Sequence, residues 1–498
     1  MKKLITLTIL FSALCTFSQS VQNLAPWMQS QELKNKSKVT LEEISKSAEN
    51  YFKTIDRYKK GSGLKPFERW KYQWSFYTKE DGTIAPASDL WKSWEQKNKM
   101  NENQAKADVS NWSALGPFQS SNTYSSPSKK SSGQGRVNVI AVDPSNSNTY
   151  YIGAPAGGIW KSVDAGVNWQ PLTDYLPQIG VSGIAIHPTN PNIIYIATGD
   201  DDAGDSYSVG VWKTLDGGLT WAATGSMTGN PDSMNEIYID TNNPDTVLVA
   251  TNSGVHKTID GGVSWTRKLT GNIIDLKVKP NDFSTWYAVT SSTFYRSTDA
   301  GESFSTVELP GLSNSGRLTM DVTIADDSYV YIVSSRNPSG NYAFNGIYKS
   351  TDSGASFTKT AETSDIFGTT QAWYDLSLTV SSVDVDIIYV GVLDIWKSTD
   401  GGEDFTKLTT WFQPDTPSFT HADIHFLRFI DGKFFAGTDG GIYVSSNEGV
   451  NFTDLTERLS ISQFYKISAS VQNSSVMAGG LQDNGGFAFN GTSWTNYH

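Results

Sequence analysis

A nine-residue pattern recurs seven times between residues 161 and 452, and it constrains the fold more than any other feature of the chain. In each copy an Asp, or an Asn in the last one, is followed two residues later by Gly and five residues later by Trp or Phe. The copies read KSVDAGVNW, KTLDGGLTW, KTIDGGVSW, RSTDAGESF, KSTDSGASF, KSTDGGEDF and VSSNEGVNF. Successive Asp or Asn positions are separated by 52, 44, 39, 53, 48 and 47 residues. A repeat of this length is typical of a β-propeller blade.

The repeated acidic position has a structural explanation. A short carboxylate accepts hydrogen bonds from its own turn, and Gly adopts the positive φ that closes the turn. An aromatic residue or His also lies four residues before each Asp or Asn, so two side chains flank each turn and can pack between blades. Equivalent positions around a ring indicate a structural role, rather than a catalytic one, for Asp164, Asp216, Asp260, Asp299, Asp352, Asp400 and Asn447.

The pattern S-x-D-x-G-x-[TS]-[WF] resembles the Asp-box, or bacterial neuraminidase repeat, of sialidases, sortilin-type receptors and xyloglucanase-type glycoside hydrolases. The resemblance implies an all-β fold, a seven- to eight-bladed β-propeller with four strands in each blade. It does not imply an activity, because one propeller fold carries enzymes, receptors and adhesins alike.

The start of the chain is typical of a secretory signal peptide, residues 1–20. Two lysines precede an apolar run from Leu4 to Phe17, and Ser-Gln-Ser follows. The apolar run is too short to span a membrane comfortably. Cys15, the single cysteine, lies in this leader, so we expect a secreted or cell-surface protein without disulfide bonds.

Residues 21–111 carry helical patterns. Thr40-Leu-Glu-Glu43 is a capping box, and apolar residues follow at steps of three and four as far as Tyr58. Pro66 opens a second helix with an aromatic stripe, and Ser88 caps a third helix that carries Trp91. We therefore predict a small helical segment before the propeller.

This helical segment and the propeller differ in charge. Residues 21–111 hold 16 Lys and Arg against 12 Asp and Glu, whereas residues 112–498 hold 21 against 39. We expect the basic segment to pack on its own acidic propeller. The acidic balance of the propeller also excludes nucleic acid as an electrostatic partner.

Eight alternating stretches predict the innermost strands of blades, starting near residues 137, 181, 236, 273, 319, 375, 423 and 465. Eight strands for seven Asp-box turns leave two alternatives. Either one ring has about eight blades, or residues 112–457 form the ring and residues 458–498 begin a second propeller. Xyloglucanase-type proteins carry tandem propellers, so the resemblance favours the second alternative. Residues 112–117 are expected to add an outer strand that closes the ring.

Function in propellers is usually carried by the face where the loops between second and third strands meet. One such loop, 199–207, contains Asp200, Asp201, Asp202, Asp205 and Tyr207. Oxygen ligands in a flexible loop suit Ca²⁺, so Asp200, Asp202 and Asp205 are candidate calcium ligands. A solvated acidic loop without a cation is the alternative. Apart from a metal ion, no cofactor is indicated.

A second candidate is the stretch His421-Ala-Asp-Ile-His425. Alternate residues of a strand share a face, which places His421, Asp423 and His425 together. They would bind a transition metal, transfer protons or form a structural hydrogen-bonded cluster. The polar loop 335–342 adds Arg336 and Tyr342 as candidate ligand-binding residues.

A third candidate is the pair Asp439 and Asp483, in Gly-rich turns of the last two units. Two carboxylates across a cleft are required for glycoside hydrolysis, and Asp423 is a further candidate for that role. Ordinary hairpin turns are the alternative explanation. The first-blade motif of xyloglucanase-type enzymes resembles R-T-D-x-G-G-[AG]-Y, but this chain has Pro155 at the acidic position. The arginine triad of sialidases cannot be assigned either.

The sequence therefore favours a secreted or cell-surface propeller that binds a protein or glycan ligand through its loop face. A glycoside hydrolase of the xyloglucanase or sialidase type, acting on polysaccharide, is the alternative. Phosphate-binding loops, dinucleotide fingerprints, cysteine-based zinc sites and serine-hydrolase elbows are absent from the sequence.

Overall fold

The computed structural model describes residues 25–34, 36, 38–85, 89, 91–93, 96, 113–118, 133–177 and 179–497. The expected signal peptide, most of the third helix and most of the Ser-rich stretch before residue 133 lie outside these residues. The helices include α1 (Gln31–Lys34), α2 (Leu41–Phe52) and α3 (Leu64–Ser75), and short 3-10 helices lie at Pro26–Gln29 and Pro338–Gly340. No helix in the described ranges combines the length and the apolar character needed to cross a membrane.

The predicted capping box begins α2. The Thr40 N–H donates to Glu43 Oε2 at 2.9 Å, and the Glu43 N–H donates to Thr40 Oγ1 at 3.2 Å. The helix ends at Phe52 rather than at the expected Tyr58. The Asp56 carboxylate accepts the N–H of Tyr58, which forms a turn that competes with the helix.

The strands form eight four-stranded antiparallel sheets, each in chain order. Sheet 1 contains β1 (Val139–Asp143), β2 (Asn146–Ala154), β3 (Gly158–Ser162) and β4 (Gln170–Pro171). Sheet 2 contains β5 (Val181–Ile186), β6 (Ile194–Thr198), β7 (Val211–Thr214) and β8 (Ala222–Ala223). Sheet 3 contains β9 (Met234–Ile239), β10 (Val247–Thr251), β11 (Gly254–Thr258) and β12 (Thr266–Thr270). Sheet 4 contains β13 (Asp275–Lys279), β14 (Asp282–Val289), β15 (Phe294–Ser297) and β16 (Ser305–Val307).

The second half of the chain repeats this plan. Sheet 5 contains β17 (Ser315–Val322), β18 (Val330–Arg336), β19 (Phe344–Ser350) and β20 (Thr358–Lys359). Sheet 6 contains β21 (Ser377–Val380), β22 (Ile388–Gly391), β23 (Ile395–Ser398) and β24 (Thr406–Lys407). Sheet 7 contains β25 (Ile424–Ile430), β26 (Lys433–Thr438), β27 (Gly441–Ser445) and β28 (Thr453–Asp454), and sheet 8 contains β29 (Phe464–Ala469), β30 (Met477–Leu481), β31 (Gly486–Phe489) and β32 (Trp494–Tyr497). The predicted all-β propeller with a small helical segment is confirmed.

The seven repeated turns join the third and fourth strands of sheets 1 to 7. In the third of them Asp260 accepts hydrogen bonds from the Thr258 hydroxyl at 2.6 Å and the Ser264 N–H at 2.9 Å. Hydrogen bonds lower the pKa of Asp260 to about 2, and the one from the Ser264 hydroxyl has the largest effect. In the last turn the amide oxygen of Asn447 accepts the equivalent two bonds, which explains why Asn serves at that position.

Sheets 1 to 7 form a closed cycle of neighbours. The turn glycine of each sheet lies against the preceding sheet, as Gly218 does against Leu172. In sheet 1 the corresponding Gly166 lies against Leu455, directly after sheet 7, and the Trp169 indole donates to the Leu455 carbonyl at 2.9 Å. The Val137 N–H, directly before β1, donates to the Thr438 carbonyl of β26 at 3.0 Å.

Sheet 8 contacts this cycle through its loops. The Asn484 amide donates to the Asp439 carbonyl oxygen at 3.0 Å, and its side-chain oxygen accepts the Gly133 N–H at 2.6 Å. The Trp494 indole donates to the Leu115 carbonyl at 2.7 Å. Residues 113–118 carry no strand, so the expected outer strand is wrong for them. Sheet 1 already has its own fourth strand, and this stretch instead contacts sheet 8.

The helical segment packs on the cycle, as its aromatic stripe predicts. Trp27 is 1% exposed and lies 5.0 Å, ring centroid to centroid, from both Phe67 of α3 and Trp373 of the propeller. The Trp74 indole donates to the Gly204 carbonyl at 3.0 Å and its ring lies 4.4 Å from that of Tyr207. The segment therefore covers the loop face of the propeller and shares one hydrophobic core with it.

Candidate functional site

Charged side chains converge where the helical segment meets the loop face. Several ring elements contribute to the cluster, among them the loop 199–207 after β6, strands β17 and β25, residues 371–375 before β21 and the turn after β26. Helix α3 contributes Arg69, which is 5% exposed. Sequence separations of more than 100 residues are bridged in this cluster, so only the closed ring brings its members together.

A chain of hydrogen bonds runs through the centre of the cluster. The Tyr374 hydroxyl donates to the two oxygens of Asp439, at 2.9 and 2.7 Å. His425 Nε2 lies 3.1 Å from Asp439 Oδ1, and His425 Nδ1 lies 2.6 Å from Asp202 Oδ2. Arg317 Nη2 donates to the other oxygen of Asp202 at 2.8 Å. All of these side chains are buried.

The protonation of this chain follows from its contacts. Burial alone would lower the pKa of His425, but the charge of Asp202 and its hydrogen bonds to Asp202 and Asp439 raise that pKa to about 10. Burial opposes ionisation of Asp439, yet the hydrogen bond and the charge of His425 hold its pKa well below the usual range. In the same way Arg317 and His425 overcome burial and lower the pKa of Asp202 to about 2. At neutral pH the imidazolium therefore bridges two carboxylates.

Guanidinium groups form ion pairs with carboxylates of the acidic loop 199–207, the candidate calcium site. Arg136 pairs with Asp200, and Arg69 Nε lies 3.2 Å from Asp205 Oδ2. Asp202 is already bound to Arg317 and His425. The carboxylates of Asp200, Asp202 and Asp205 are buried and paired with cationic side chains, so this donor set does not fit Ca²⁺.

A cavity of about 520 Å³ opens beside this cluster. One wall is the helical segment from Arg57 to Pro66, a second wall is the ring, and the third is the turn of sheet 8 around Asp483. Aromatic and hydrogen-bonding side chains line these walls, among them Tyr58, Gln371, Trp411, Asp423, Tyr465 and Asp483.

Lysines of the helical segment pair with the two carboxylates of the cavity. Lys60 Nζ donates to Asp423 Oδ2 at 3.0 Å, and Lys65 Nζ donates to Asp483 Oδ1 at 3.2 Å. Burial raises the pKa of Asp423, while Lys60 opposes the increase. The side chain of Lys65 is 68% exposed, so its ion pair contributes little to stability.

Asp423, Asp439 and Asp483 each place a carboxylate oxygen within 4.8 Å of the others. These are the three residues that the sequence offered as catalytic candidates. Asp423 and Asp483 line the cavity, whereas Asp439 lies behind them and its two oxygens are bonded to Tyr374 and His425. The spacing would accept a metal ion, but the ammonium groups of Lys60 and Lys65 already neutralise two of the three carboxylates.

The strand argument for residues 421–425 needs a correction. Asp423 has a φ of 65°, so it lies outside the extended strand β25, which begins at Ile424. His421 and Asp423 line the cavity, whereas His425 points to Asp202 and Asp439 in the buried cluster. The three side chains therefore lie near one another without sharing a strand face.

The remaining candidates are dispersed. Tyr342 is 1% exposed and belongs to the core that joins the helical segment to the ring, while Arg336 is exposed at the end of β18. Asp201 lines a small cavity together with Arg317 and His425, and the ring of Tyr207 packs against that of Trp74. The ring loop 335–342 thus places its two candidates in different environments.

Sequence reasoning missed several cationic and polar members of the site. Lys60, Lys65 and Arg69 belong to the helical segment. The sequence indicated the net positive charge of this segment but not which of its residues reach the site. The spacing of Lys65 and Arg69, four residues apart on α3, was a signal that both face the same side of a helix. No sequence signal singled out Gln371 or Tyr374.

Comparisons with solved structures agree with the β-propeller fold. No protein-family model and no curated protein matches the chain. An ancestral GH74 enzyme aligns at 14% identity over 73% of this chain and 54% of its own, with a TM-score of 0.54. The GH74 xyloglucanase from Xanthomonas campestris aligns at 16% identity over 73% of this chain and 68% of its own, with a TM-score of 0.51. At these identities the likeness shows the fold alone, which is a β-propeller.

Proposed function

We propose that the chain is a secreted or cell-surface β-propeller that binds a glycan in the cavity between its helical segment, its ring and sheet 8. The observation that carries this proposal is the composition of the cavity walls. Tyr58, Trp411 and Tyr465 offer aromatic surfaces, and Gln371, Asp423 and Asp483 offer hydrogen-bonding groups. Apolar surface with a few convergent polar groups is characteristic of small-ligand sites.

The shape of the site favours a glycan over a folded protein as the ligand. A specific protein interface buries about 800 Å² on each partner and is usually far larger than one recess. A cavity of about 520 Å³ accommodates a short segment of a polymer. Secretion is proposed from the N-terminal sequence pattern.

Glycoside hydrolysis is the second candidate function. It is favoured by the carboxyl oxygens of Asp423 and Asp483, which lie within 4.8 Å of each other and both line the cavity. Retaining glycosidases hold their two carboxyl groups about 5–5.5 Å apart, and the raised pKa of Asp423 suits a general acid. Asp439 is not used in this proposal because its oxygens are held by Tyr374 and His425.

A binding screen with aromatic variants tests the proposal. The purified chain would be applied to a glycan array, and hits would be titrated calorimetrically against the wild type, Trp411→Ala and Tyr175→Ala. Trp411 lines the cavity, whereas Tyr175 is 53% exposed and does not. Loss of an aromatic contact should weaken binding by about tenfold in Trp411→Ala, and Tyr175→Ala should bind as the wild type does. Absence of any retained glycan, or equal affinity of both variants, would contradict the proposal.

The same glycans would be assayed for cleavage to test the second function. Turnover by the wild type that disappears in Asp423→Asn and in Asp483→Asn would establish hydrolysis at this pair. Glycans that are retained but never cleaved would leave binding as the function. Turnover that survives both substitutions would show that the pair is not catalytic.

A further inference from the structure

The cavity has an uneven distribution of charge. The helical segment lines it with four cationic side chains, Arg57, Lys59, Lys60 and Lys65. The opposite walls offer two carboxylates, Asp423 and Asp483, and these are paired with Lys60 and Lys65. Within the described part of the chain, Arg57 and Lys59 form no ion pair. The cavity therefore holds two positive charges beyond those that its own carboxylates neutralise.

The guanidinium group of Arg57 is held in place without a carboxylate. Its central carbon lies 5.9 Å from the ring centroid of Phe52 and 5.6 Å from that of Tyr58, within the range of a cation–π contact with each ring. Its Nε is buried and has no hydrogen-bond acceptor among the described residues. A buried donor without an acceptor is costly, so a ligand oxygen at this position would be stabilising. Carboxylate and sulfate groups match the planar geometry of a guanidinium.

The propeller as a whole repels anions. The chain has a formal net charge of −12, and residues 112–498 hold 21 Lys and Arg against 39 Asp and Glu. A polyanion would be attracted to the protein only where cationic side chains are concentrated and unpaired. In the described residues this condition is met at the mouth of the cavity by Arg57 and Lys59.

We infer that the ligand of this cavity is an acidic glycan, whose carboxylate or sulfate groups contact Arg57 and Lys59 while its sugar rings pack against the aromatic walls. This inference rests on the proposed glycan-binding function and specifies its ligand class. Asp423 and Asp483 then contact hydroxyl groups, and Lys60 and Lys65 keep those carboxylates from repelling the anionic groups. An acidic peptide is the competing occupant, but Asp and Glu side chains have no ring to pack against the aromatic walls.

The experiment is a calorimetric titration of the full secreted chain with four probes. These are an oligogalacturonate, a sulfated oligosaccharide, a neutral xyloglucan oligosaccharide and a polyglutamate peptide. The double variant Arg57→Gln/Lys59→Gln is compared with Lys46→Gln/Lys53→Gln, which removes the same charge from exposed positions outside the cavity. The circular dichroism of both variants checks that they are folded.

We expect an acidic oligosaccharide to bind more tightly than the neutral one. Loss of the two cations should weaken its binding by at least about tenfold, because charge-assisted contacts to the anionic groups are removed, and the control pair should have no comparable effect. Which of the two acidic probes binds distinguishes carboxylate from sulfate. The binding should also weaken between about 50 and about 200 mM salt.

Other results would overturn the inference. If the neutral oligosaccharide binds equally well, or if the Arg57/Lys59 variant retains full affinity, the glycan-binding proposal stands and the acidic class is wrong. If polyglutamate binds best, the ligand is a peptide. If no oligosaccharide binds, the proposed function itself fails, so the two failures are distinguishable.

Discussion

Substitution of Trp27 by Ala should detach the helical segment from the propeller. Trp27 is 1% exposed, and its ring contacts Phe67 and Phe52 of the segment and Trp373 of the ring, with centroid distances of 5.0, 5.4 and 5.0 Å. Replacing a buried Trp by Ala costs about 3–5 kcal/mol. Because Trp27 joins the two parts, we expect the cost to fall on docking of the segment. Each 1.4 kcal/mol changes an equilibrium tenfold, so the undocked population should rise by roughly two to three and a half orders of magnitude.

Limited trypsin proteolysis measures this population, because Lys53, Arg57 and Lys59 become cleavable when the segment opens. The rate of cleavage in the segment should rise by roughly the same factor until opening is no longer rare. The thermal transition of the ring, followed by circular dichroism, should shift much less. The control is Phe76→Ala, since Phe76 is 66% exposed on the same segment. If Trp27→Ala is cleaved as slowly as Phe76→Ala, Trp27 does not hold the segment and the reasoning fails.

Three further substitutions test the ring and its charge network. His425→Gln should destabilise the protein most at pH 6, and the difference in unfolding free energy from the wild type should shrink as the pH rises to 10. The folded-state pKa of His425, about 10, exceeds its unfolded-state pKa near 6.5, so the stabilisation is complete below pH 6.5 and is lost as the pH approaches 10. Urea denaturation across this range measures it, and a difference independent of pH would rule out a buried imidazolium. Asp321→Ala leaves the Val380 N–H and the Thr379 hydroxyl without their acceptor and should lower the unfolding free energy by about 1–3 kcal/mol in urea denaturation. Asp326→Ala, on an exposed turn, is the control, and equal stabilities of the two variants would contradict the role of Asp321 between sheets 5 and 6. Gly153→Ala would place a Cβ 2.5 Å from the Val181 carbonyl oxygen of the next sheet and should lower the unfolding free energy by about 1–3 kcal/mol in calorimetry. A Cβ on Gly480 meets nothing within 4 Å, so Gly480→Ala should melt as the wild type does. A wild-type melting temperature for Gly153→Ala would show that the sheets can separate there.

Local patterns predicted the regular elements well. The capping box at Thr40 depends on residues within one turn, and the alternation of each innermost strand depends on neighbours along the chain. The end of α2 was misjudged because apolar spacing continued to Tyr58, although an Asp56 turn competes with the helix there. The outer strand expected at residues 112–117 was assigned from its position before the first blade, and position alone does not create a pairing partner.

The candidate site was only partly predictable. Asp423, Asp439 and Asp483 were recognised individually in Gly-rich or His-containing turns, and the structure places their carboxylates within 4.8 Å of one another. Their chemical states were not predictable, because they depend on His425 and on Lys60 and Lys65, which arrive from distant parts of the chain. The acidic loop 199–207 was a calcium candidate because of its oxygen ligands, and its arginine partners could not be recognised because they lie more than 60 residues away in sequence.

The sequence by itself determined the repeat, because each blade is a local unit whose strands pair with their chain neighbours through short turns. It therefore specified the all-β class, the turn chemistry and the presence of a helical segment. Only the tertiary structure decided which sheets close the ring, where the helical segment lies and which carboxylates are paired. Those outcomes depend on contacts between sheets and on burial of opposite charges, and such contacts join residues whose separation along the chain carries no periodic signal.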